Sequence, residues 1–389
     1  MKKSTDRILT THVGSLPRPD DLIEANREGA REAIAARLKS AVAGVVEQQA
    51  KVGIDVVNDG EYGKPMIEAV DFGAWATYVW GRLDGFEFRD IGDRSVAVKK
   101  LMNRSKDRFE FQHFYASGAD GTASNRPRPF RVPVNTGPIK YTGHAFVKRD
   151  IDNLKAALAH VDVEDAFLSS VFTGIQFGES EYYKTKDEWA VALAEAMREE
   201  YRAIVDSGLN VQIDDPLLVN VYEFDYSMDG DIAAFRKWAE GHIELLNHAL
   251  EGLPEERVRY HLCWGSWAGP HSSDLPIGEV IDLLVRINAS QYSFEAANPQ
   301  HEHEWRAWKD VKLPDGRALI PGVVTHKTNV LERPEVVADR IVRYADVVGR
   351  ENVLASTDCG MGGRIDPKLA WAKLKALGEG ARLATERLW

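Results

Sequence analysis

Apolar, strand-like runs alternate with helical segments along almost the whole chain, and this alternation leaves few folds open. Ile8–Ser15 predicts a first strand, stopped by Pro17 and Pro19. From Asp20 to about Lys51 the apolar residues recur near every 3.6 positions, which predicts a long amphipathic helix. Gly53 stops it, and a second strand follows through Glu61. A strand, a helix and a strand of these lengths form a parallel βαβ unit. The same rhythm predicts strands at Phe167–Gly174, Asn210–Pro216, Val258–Trp264, Gln291–Ala296, Leu319–Thr325 and Val353–Asp358. Helices are expected at Ile151–His160, Thr185–Ser207, Ile232–Leu250, Pro276–Arg286, Pro334–Val348 and Lys368–Arg387. Eight strands with intervening helices favour an α/β fold of the (β/α)8 (TIM) barrel type, as a single domain over 1–389. A doubly wound open sheet is the alternative. It would want a glycine-rich nucleotide turn after the first strand, and His12-Val13-Gly14-Ser15-Leu16-Pro17 is not one.

One stretch breaks the rhythm. Residues 72–141, after the second strand, are rich in aromatic residues, Gly and Arg, with short alternating runs such as Gly85-Phe86-Glu87-Phe88 and Phe109-Glu110-Phe111. It reads as an insertion of hairpins lying over one end of the barrel.

Bulk properties exclude several functions. With 44% hydrophobic residues the chain can bury a sizeable core. A net charge of -11 argues against nucleic-acid or anionic-membrane binding, leaving small molecules as the expected partners. No apolar run reaches the ~18 residues of a membrane span, and no apolar signal region follows the charged N-terminus. Two cysteines far apart do not build a disulfide framework, so a reducing cytoplasm is the expected location. The oligomeric state is not legible, and a homo-oligomer is compatible with the sequence.

In a barrel, the C-terminal strand ends converge on one mouth. Here those ends carry His12 and Ser15, Asp59 and Glu61, Asp214 and Asp215, His261 and Cys263, Glu295, His326, and Asp358 and Cys359. A purely structural barrel has no need of polar groups at nearly every strand end, and this repetition favours an enzyme. Residues i and i+2 of a strand share a face, so His261 and Cys263 can chelate one ion. Alone, such a pair is more often a buried histidine beside a small core cysteine. With Cys359 and Glu295 at neighbouring strand ends, the four make a donor set suited to Zn2+. Short paired-cysteine clips, usual in closed structural sites, are absent from the sequence. Trp75, Trp80, Trp264 and Trp267 could line an apolar acceptor pocket or be core.

With these residues in place, the chain resembles the catalytic C-terminal barrel of cobalamin-independent methionine synthase and its one-barrel relatives. The matching stretches are Thr11-His12-Val13-Gly14-Ser15, Asn58-Asp59-Gly60-Glu61, Gln212-Ile213-Asp214-Asp215-Pro216, His261-Leu262-Cys263, Phe294-Glu295, Gly322-Val323-Val324-Thr325-His326 and Thr357-Asp358-Cys359-Gly360. They run in the family's order from one end of the chain to the other. The resemblance implies a methyl- or alkyltransferase of methionine biosynthesis, acting like a 5-methyltetrahydropteroyltriglutamate-homocysteine methyltransferase. It implies that His261, Cys263, Glu295 and Cys359 bind zinc. It further implies that Gly14, Ser15, Glu61 and Asp214 hold the amino-acid end of a homocysteine-like thiol, and that His326 is the catalytic proton donor. Zinc would activate the thiol, whose entry would displace Glu295. Six residues past Asp214, where the synthase has an acid for the pterin, this chain has Asn220. That departure, with a differing Trp264–His271 loop and the insertion, opens the donor to other alkyl carriers. The alternatives are thiol addition to an epoxide, as in epoxyalkane:coenzyme M transferase, and a non-catalytic zinc barrel.

Overall fold

A computed structural model describes residues 1–66, 74, 78–90, 104–118, 131–172 and 179–389. Eight parallel strands form one sheet: β1 (Leu9–Thr10), β2 (Val56–Val57), β3 (Asp165–Val171), β4 (Asn210–Asp215), β5 (Val258–Leu262), β6 (Gln291–Phe294), β7 (Ala318–Val324) and β8 (Leu354–Thr357). Their spatial order is β1-β8-β7-β6-β5-β4-β3-β2. The first and last strands of that order meet again. The Asp55 amide donates to the Thr10 carbonyl at 3.1 Å, and the Thr11 hydroxyl donates to the Val56 carbonyl at 3.0 Å. The sheet therefore closes into the barrel that the alternation predicts.

Strand periodicity sorts the side chains. Tyr260 and Leu262 of β5 point outward into the large core shared with the helices, while Arg259 and His261 point into the barrel. A separate apolar cluster, including Leu9, Val56, Phe167, Ile320 and Leu354, plugs the barrel towards the N-terminal strand ends. The Arg259 guanidinium lies on that plug, 4.0 Å from the Phe167 ring centre, and donates to Thr11 Oγ1 and the His12 carbonyl. The mouth above it is left to polar residues.

The helices are amphipathic where the sequence says so. Lys186–Asp206 buries Trp189, Leu193, Met197, Tyr201 and Ile204 along one stripe, each worth about 1.5–3 kcal/mol when fully buried. Thr185 caps it by accepting from the Glu188 amide at 3.1 Å. Glu188 reaches back to the amide of Lys184 instead of Thr185, one residue outside a regular capping box.

Several boundaries differ from the sequence reading. The long first helix is two, Asp20–Glu28 and Arg31–Lys51, because Gly29 adopts φ 66° and ends the first. The helix expected at Ile151–His160 is His144–Leu158, a start that Gly143 does not announce by side-chain capping. The helix expected at Pro276–Arg286 shrinks to a 3-10 turn, Ile277–Glu279, and one helical turn, Ile281–Leu284.

In the inserted stretch, Leu83–Asp90 pairs antiparallel with Arg131–Tyr141, which also pairs with Glu179–Ser180. Phe109-Glu110-Phe111, read as an alternating strand, instead ends the helix Lys106–Glu110. This helical part docks near the mouth. The Asp107 carboxylate accepts from the Ser272 amide at 2.8 Å, and Trp267 Nε1 donates to the Tyr115 hydroxyl at 3.2 Å. Trp75 lies outside the described residues. Trp80 packs edge-on to Phe86, and buried Trp264 donates to the Leu275 carbonyl, so both serve the core. Among the described residues, no helix is long and apolar enough to cross a membrane.

Candidate metal centre and substrate cavity

The register of adjacent strands sets the centre. Asp214 of β4 stands level with His261 of β5, and His261 with Ser293 of β6. Cys263 and Glu295 follow immediately beyond the ends of β5 and β6, and Cys359 lies two residues beyond the end of β8. Ligand atoms of His261, Cys263 and Cys359 lie within 4.8 Å of one another. The two sulfurs are 3.7 Å apart, and Glu295 Oε1 is 4.0 Å from Cys263 Sγ.

The residues fit a tetrahedral metal ion. Two zinc–sulfur bonds of ~2.3 Å at a tetrahedral angle put the sulfurs about 3.8 Å apart, close to the spacing found. His261 Nδ1 is taken up by Ser293 Oγ at 3.2 Å, while its buried Nε2 has no hydrogen-bond partner among the described residues. A buried ring nitrogen not taken up by Ser293 and close to two thiols is a donor that a metal can use. The hydrogen bond between the two thiols pulls Cys359 well below the ordinary thiol range and pushes Cys263 well above it.

Glu295 is held from behind. Its Oε2 accepts from Asn298 Nδ2 at 2.8 Å and faces Lys327 Nζ at 3.2 Å, leaving Oε1 towards the sulfurs. Burial raises its pKa against the pull of Lys327. Lys327 also contacts His271 Nε2 at 3.2 Å. From His271, side-chain contacts continue through Asp274 and His301 to Glu304. His271–Asp274 and His301–Glu304 are each three residues apart, but no spacing marks Lys327 or the link from Asp274 to His301.

The centre forms one wall of a cavity of about 450 Å³. Val13, Pro216, Leu217, Val221, Phe224 and Trp267 supply much of its apolar lining. Ser15, Glu61 and Asp214 line it as well. Glu61 adopts φ 60°, strained for a residue with a side chain, and its amide is held by Asp59 Oδ1 at 2.9 Å. Burial, with Asp150 and Glu61 nearby, pushes Asp59 up to about 7. Gly14 has φ 149°, and a Cβ there would stand 2.5 Å from Glu61 Oε1, so only glycine lets this carboxylate lie against the first strand's end. Burial works against the Glu61 charge, but Lys64, Ser169 and Arg18 outweigh it and hold the carboxyl below its usual range. Phe224 and Asp225 come from a π-helical turn, Tyr222–Tyr226, which the sequence does not announce.

The other strand-end residues divide. His326 is buried, with neither ring nitrogen partnered among the described residues; burial holds it neutral, well below the usual imidazole range. His12 binds Gln49 at 2.8 Å and is a core histidine, its pKa lowered to about 4 by burial. Asp215 accepts from His242, Tyr260 and the amides of Leu217 and Leu218, and Asp358 accepts from the amides of Ala296 and Ala297. Both brace the mouth.

A parallel eight-stranded barrel with a buried His-Cys-Cys group at its mouth defines a (β/α)8 protein with a candidate metal centre. The chain belongs to the family described as cobalamin-independent synthase, catalytic domain, whose model matches residues 132–382. It is 25% identical over 392 residues to a methionine synthase of Sulfolobus acidocaldarius, covering 97% of this chain and 93% of that one. It is also 23% identical over 408 residues to the 2-hydroxypropyl-CoM lyase of Xanthobacter autotrophicus, covering 97% and 90%. Among solved structures, a B12-independent methionine synthase from a Shewanella species in complex with selenomethionine shares the fold, with TM-score 0.72, 20% identity and coverage of 98% and 99%.

Proposed function

We propose that the chain is a cytoplasmic zinc-dependent transferase that passes a methyl or other alkyl group to a small thiol such as homocysteine. The observation that carries this reading is the meeting of a His261 ring nitrogen, Cys263 Sγ and Cys359 Sγ at the wall of a largely apolar cavity. These three, with Glu295 as the fourth and releasable donor, would hold zinc. Zinc bound there would make a substrate thiol a thiolate near neutral pH and keep it nucleophilic.

The chain's own residues supply the rest. Asn298 and Lys327 are placed to keep the Glu295 carboxylate when it gives up its position to the thiol. Gly14, Ser15, Glu61 and Asp214 are the proposed seat for the far end of the thiol. The apolar wall excludes water that would compete for the alkyl group. His326 is the proposed proton donor to the leaving atom; held neutral by burial, it would first take up the proton that the substrate thiol releases on becoming a thiolate. The insertion is proposed to cover the mouth through its contacts with the Trp267–Ser273 loop.

X-ray absorption on the zinc protein, with and without homocysteine, tests this reading. Replacement of one oxygen or nitrogen neighbour by sulfur is expected, and an unchanged shell would reject it in favour of a closed structural site. A second reading, opening of an epoxide by a thiol, is supported by the lyase relative that matches the chain at nearly full length. Offering methyl and epoxide donors to the same protein separates the two.

A further inference from the structure

The two acids at the cavity's end are not empty-handed. Lys64 Nζ lies 3.2 Å from Glu61 Oε1 and 3.8 Å from Asp214 Oδ2, and donates to Ser169 Oγ at 2.9 Å. Its side chain is about as buried as theirs, and its ammonium stands 4.9 Å from the Tyr78 ring centre. Lys64 does not line the main cavity. It enters from behind, beside a void of about 20 Å³ shared with Asp59, Arg82 and Glu200, while Glu61 and Asp214 present themselves to the cavity. The protein has thus built an ammonium into the place where two convergent carboxylates would otherwise attract one from a ligand.

Charge balance gives this arrangement a consequence. Without Lys64 the two buried carboxylates would lose their nearest cation, leaving Arg18 near Glu61 and a ligand's ammonium to balance a charge of up to about -2. With Lys64 in place about half of that charge is already met, and an arriving ammonium faces a like charge across the same carboxylates. Lys64 lies 3.2 Å from Glu61 but 3.8 Å from Asp214, so Asp214 is the less compensated acid of the two.

We infer that Lys64 is a specificity-determining residue that reduces the advantage of a thiol bearing an α-ammonium group over one without it. The inference rests on the alkyl-transfer reading, because it takes the thiol to span from the His-Cys-Cys centre to Glu61 and Asp214. It widens the acceptor class to thiols whose far end lacks an ammonium group.

The test is calorimetric binding of homocysteine and its desamino analogue, 4-mercaptobutanoate, to the zinc-loaded protein. Both ligands keep the thiol and carboxylate, so the ratio of their Kd values isolates the ammonium. The wild type is expected to favour homocysteine by less than about tenfold, and Lys64→Met to raise that preference by at least about tenfold. Lys64→Arg, which keeps the cation, is expected to keep the wild-type ratio. An unchanged or smaller preference in Lys64→Met overturns the inference. A wild-type preference above about 100-fold overturns it without any variant, which covers the case where Lys64→Met does not fold. Binding of both thiols with the wrong ratio leaves the alkyl-transfer reading standing, whereas no binding of either thiol rejects that reading and this inference together.

Discussion

Lys327 Nζ stands 3.2 Å from Glu295 Oε2, on the side of the carboxylate turned away from the two cysteines. The Glu295 side chain is fully buried and that of Lys327 mostly so, and Asn298 fixes the same oxygen. Burial alone would lower the Lys327 pKa, but Glu295 and Asp274 outweigh it and keep the ammonium charged. The pair therefore stores a carboxylate beside the metal centre at a cost that one lysine offsets. Removing one member of a buried ion pair strands the other, which costs about 3–5 kcal/mol. Lys327→Met should lower the unfolding free energy of the metal-free protein by that amount in urea titrations. Adding Glu295→Gln should return part of it. A loss below about 1 kcal/mol would show that the pair is not the support described.

His301 gives a second, pH-dependent support. Its ring lies 4.2 Å from the Trp264 ring, between Asp274 Oδ2 at 3.1 Å and Glu304 Oε2 at 2.9 Å. Burial opposes its charge, but the two acids win and raise it from 6.5 to about 9. A folded-state pKa above the unfolded value means stability that is fully present below pH 6.5 and is lost as pH rises towards 9. The loss is about 3 kcal/mol over that window. The difference in unfolding free energy between wild type and His301→Gln, measured at pH 6 and pH 9, should shrink by this amount. A difference that stays constant across the window would refute the assignment.

These two supports also mark the limit of what the sequence discloses. Strand ends were legible because period-two alternation and strand order place His261, Cys263, Glu295 and Cys359 at one mouth without any coordinates. Ser293 was reachable by the same logic, being level with His261 on the next strand, but serine carries no signal by type. Lys64 and Lys327 were not reachable. Each sits in a loop; Lys64 does follow Glu61 by three residues, but Asp214 and Ser169, like Glu295 beside Lys327, come from distant strands, so no spacing along the chain records those contacts. The run Phe109-Glu110-Phe111 misled because local alternation is too short to outweigh the helix that Ser105 caps. Gly29 was visible as a residue, but only its φ of 66° shows that it divides a helix.

Gly14 tests how closely the first strand's end is fitted to Glu61. Alanine would need φ 149° and would place its Cβ 2.5 Å from Glu61 Oε1, between the strand end and a carboxylate already tied to Ser169 and Lys64. The barrel core is not involved, so Gly14→Ala should fold, with a stability loss of about 1–3 kcal/mol. The displaced Glu61 should weaken thiol binding by roughly tenfold or more, since a misplacement of ~1 Å is costly at a preorganised site. Calorimetric titration with homocysteine checks this, and wild-type affinity would show that Glu61 takes no part in holding the thiol.

Ser293 tests the metal centre without touching a ligand. Ser293 Oγ lies 3.2 Å from His261 Nδ1, and strand pairing places the two residues level, so the contact is set by backbone register. When Nδ1 carries the proton and donates it to the serine oxygen, Nε2 is left with the lone pair a metal needs. Alanine at this fully buried position keeps the strand and removes only the acceptor. The ring can then turn or shift its proton, and the Nε2 lone pair is no longer fixed on the two thiols. Loss of such a partner typically weakens metal binding by about 10–100-fold. Competition for zinc against a chromophoric chelator should show a loss of this size in Ser293→Ala, while Ser293→Thr, which restores a hydroxyl, should recover most of it. Equal zinc affinity in wild type and Ser293→Ala would mean that His261 is oriented by packing alone.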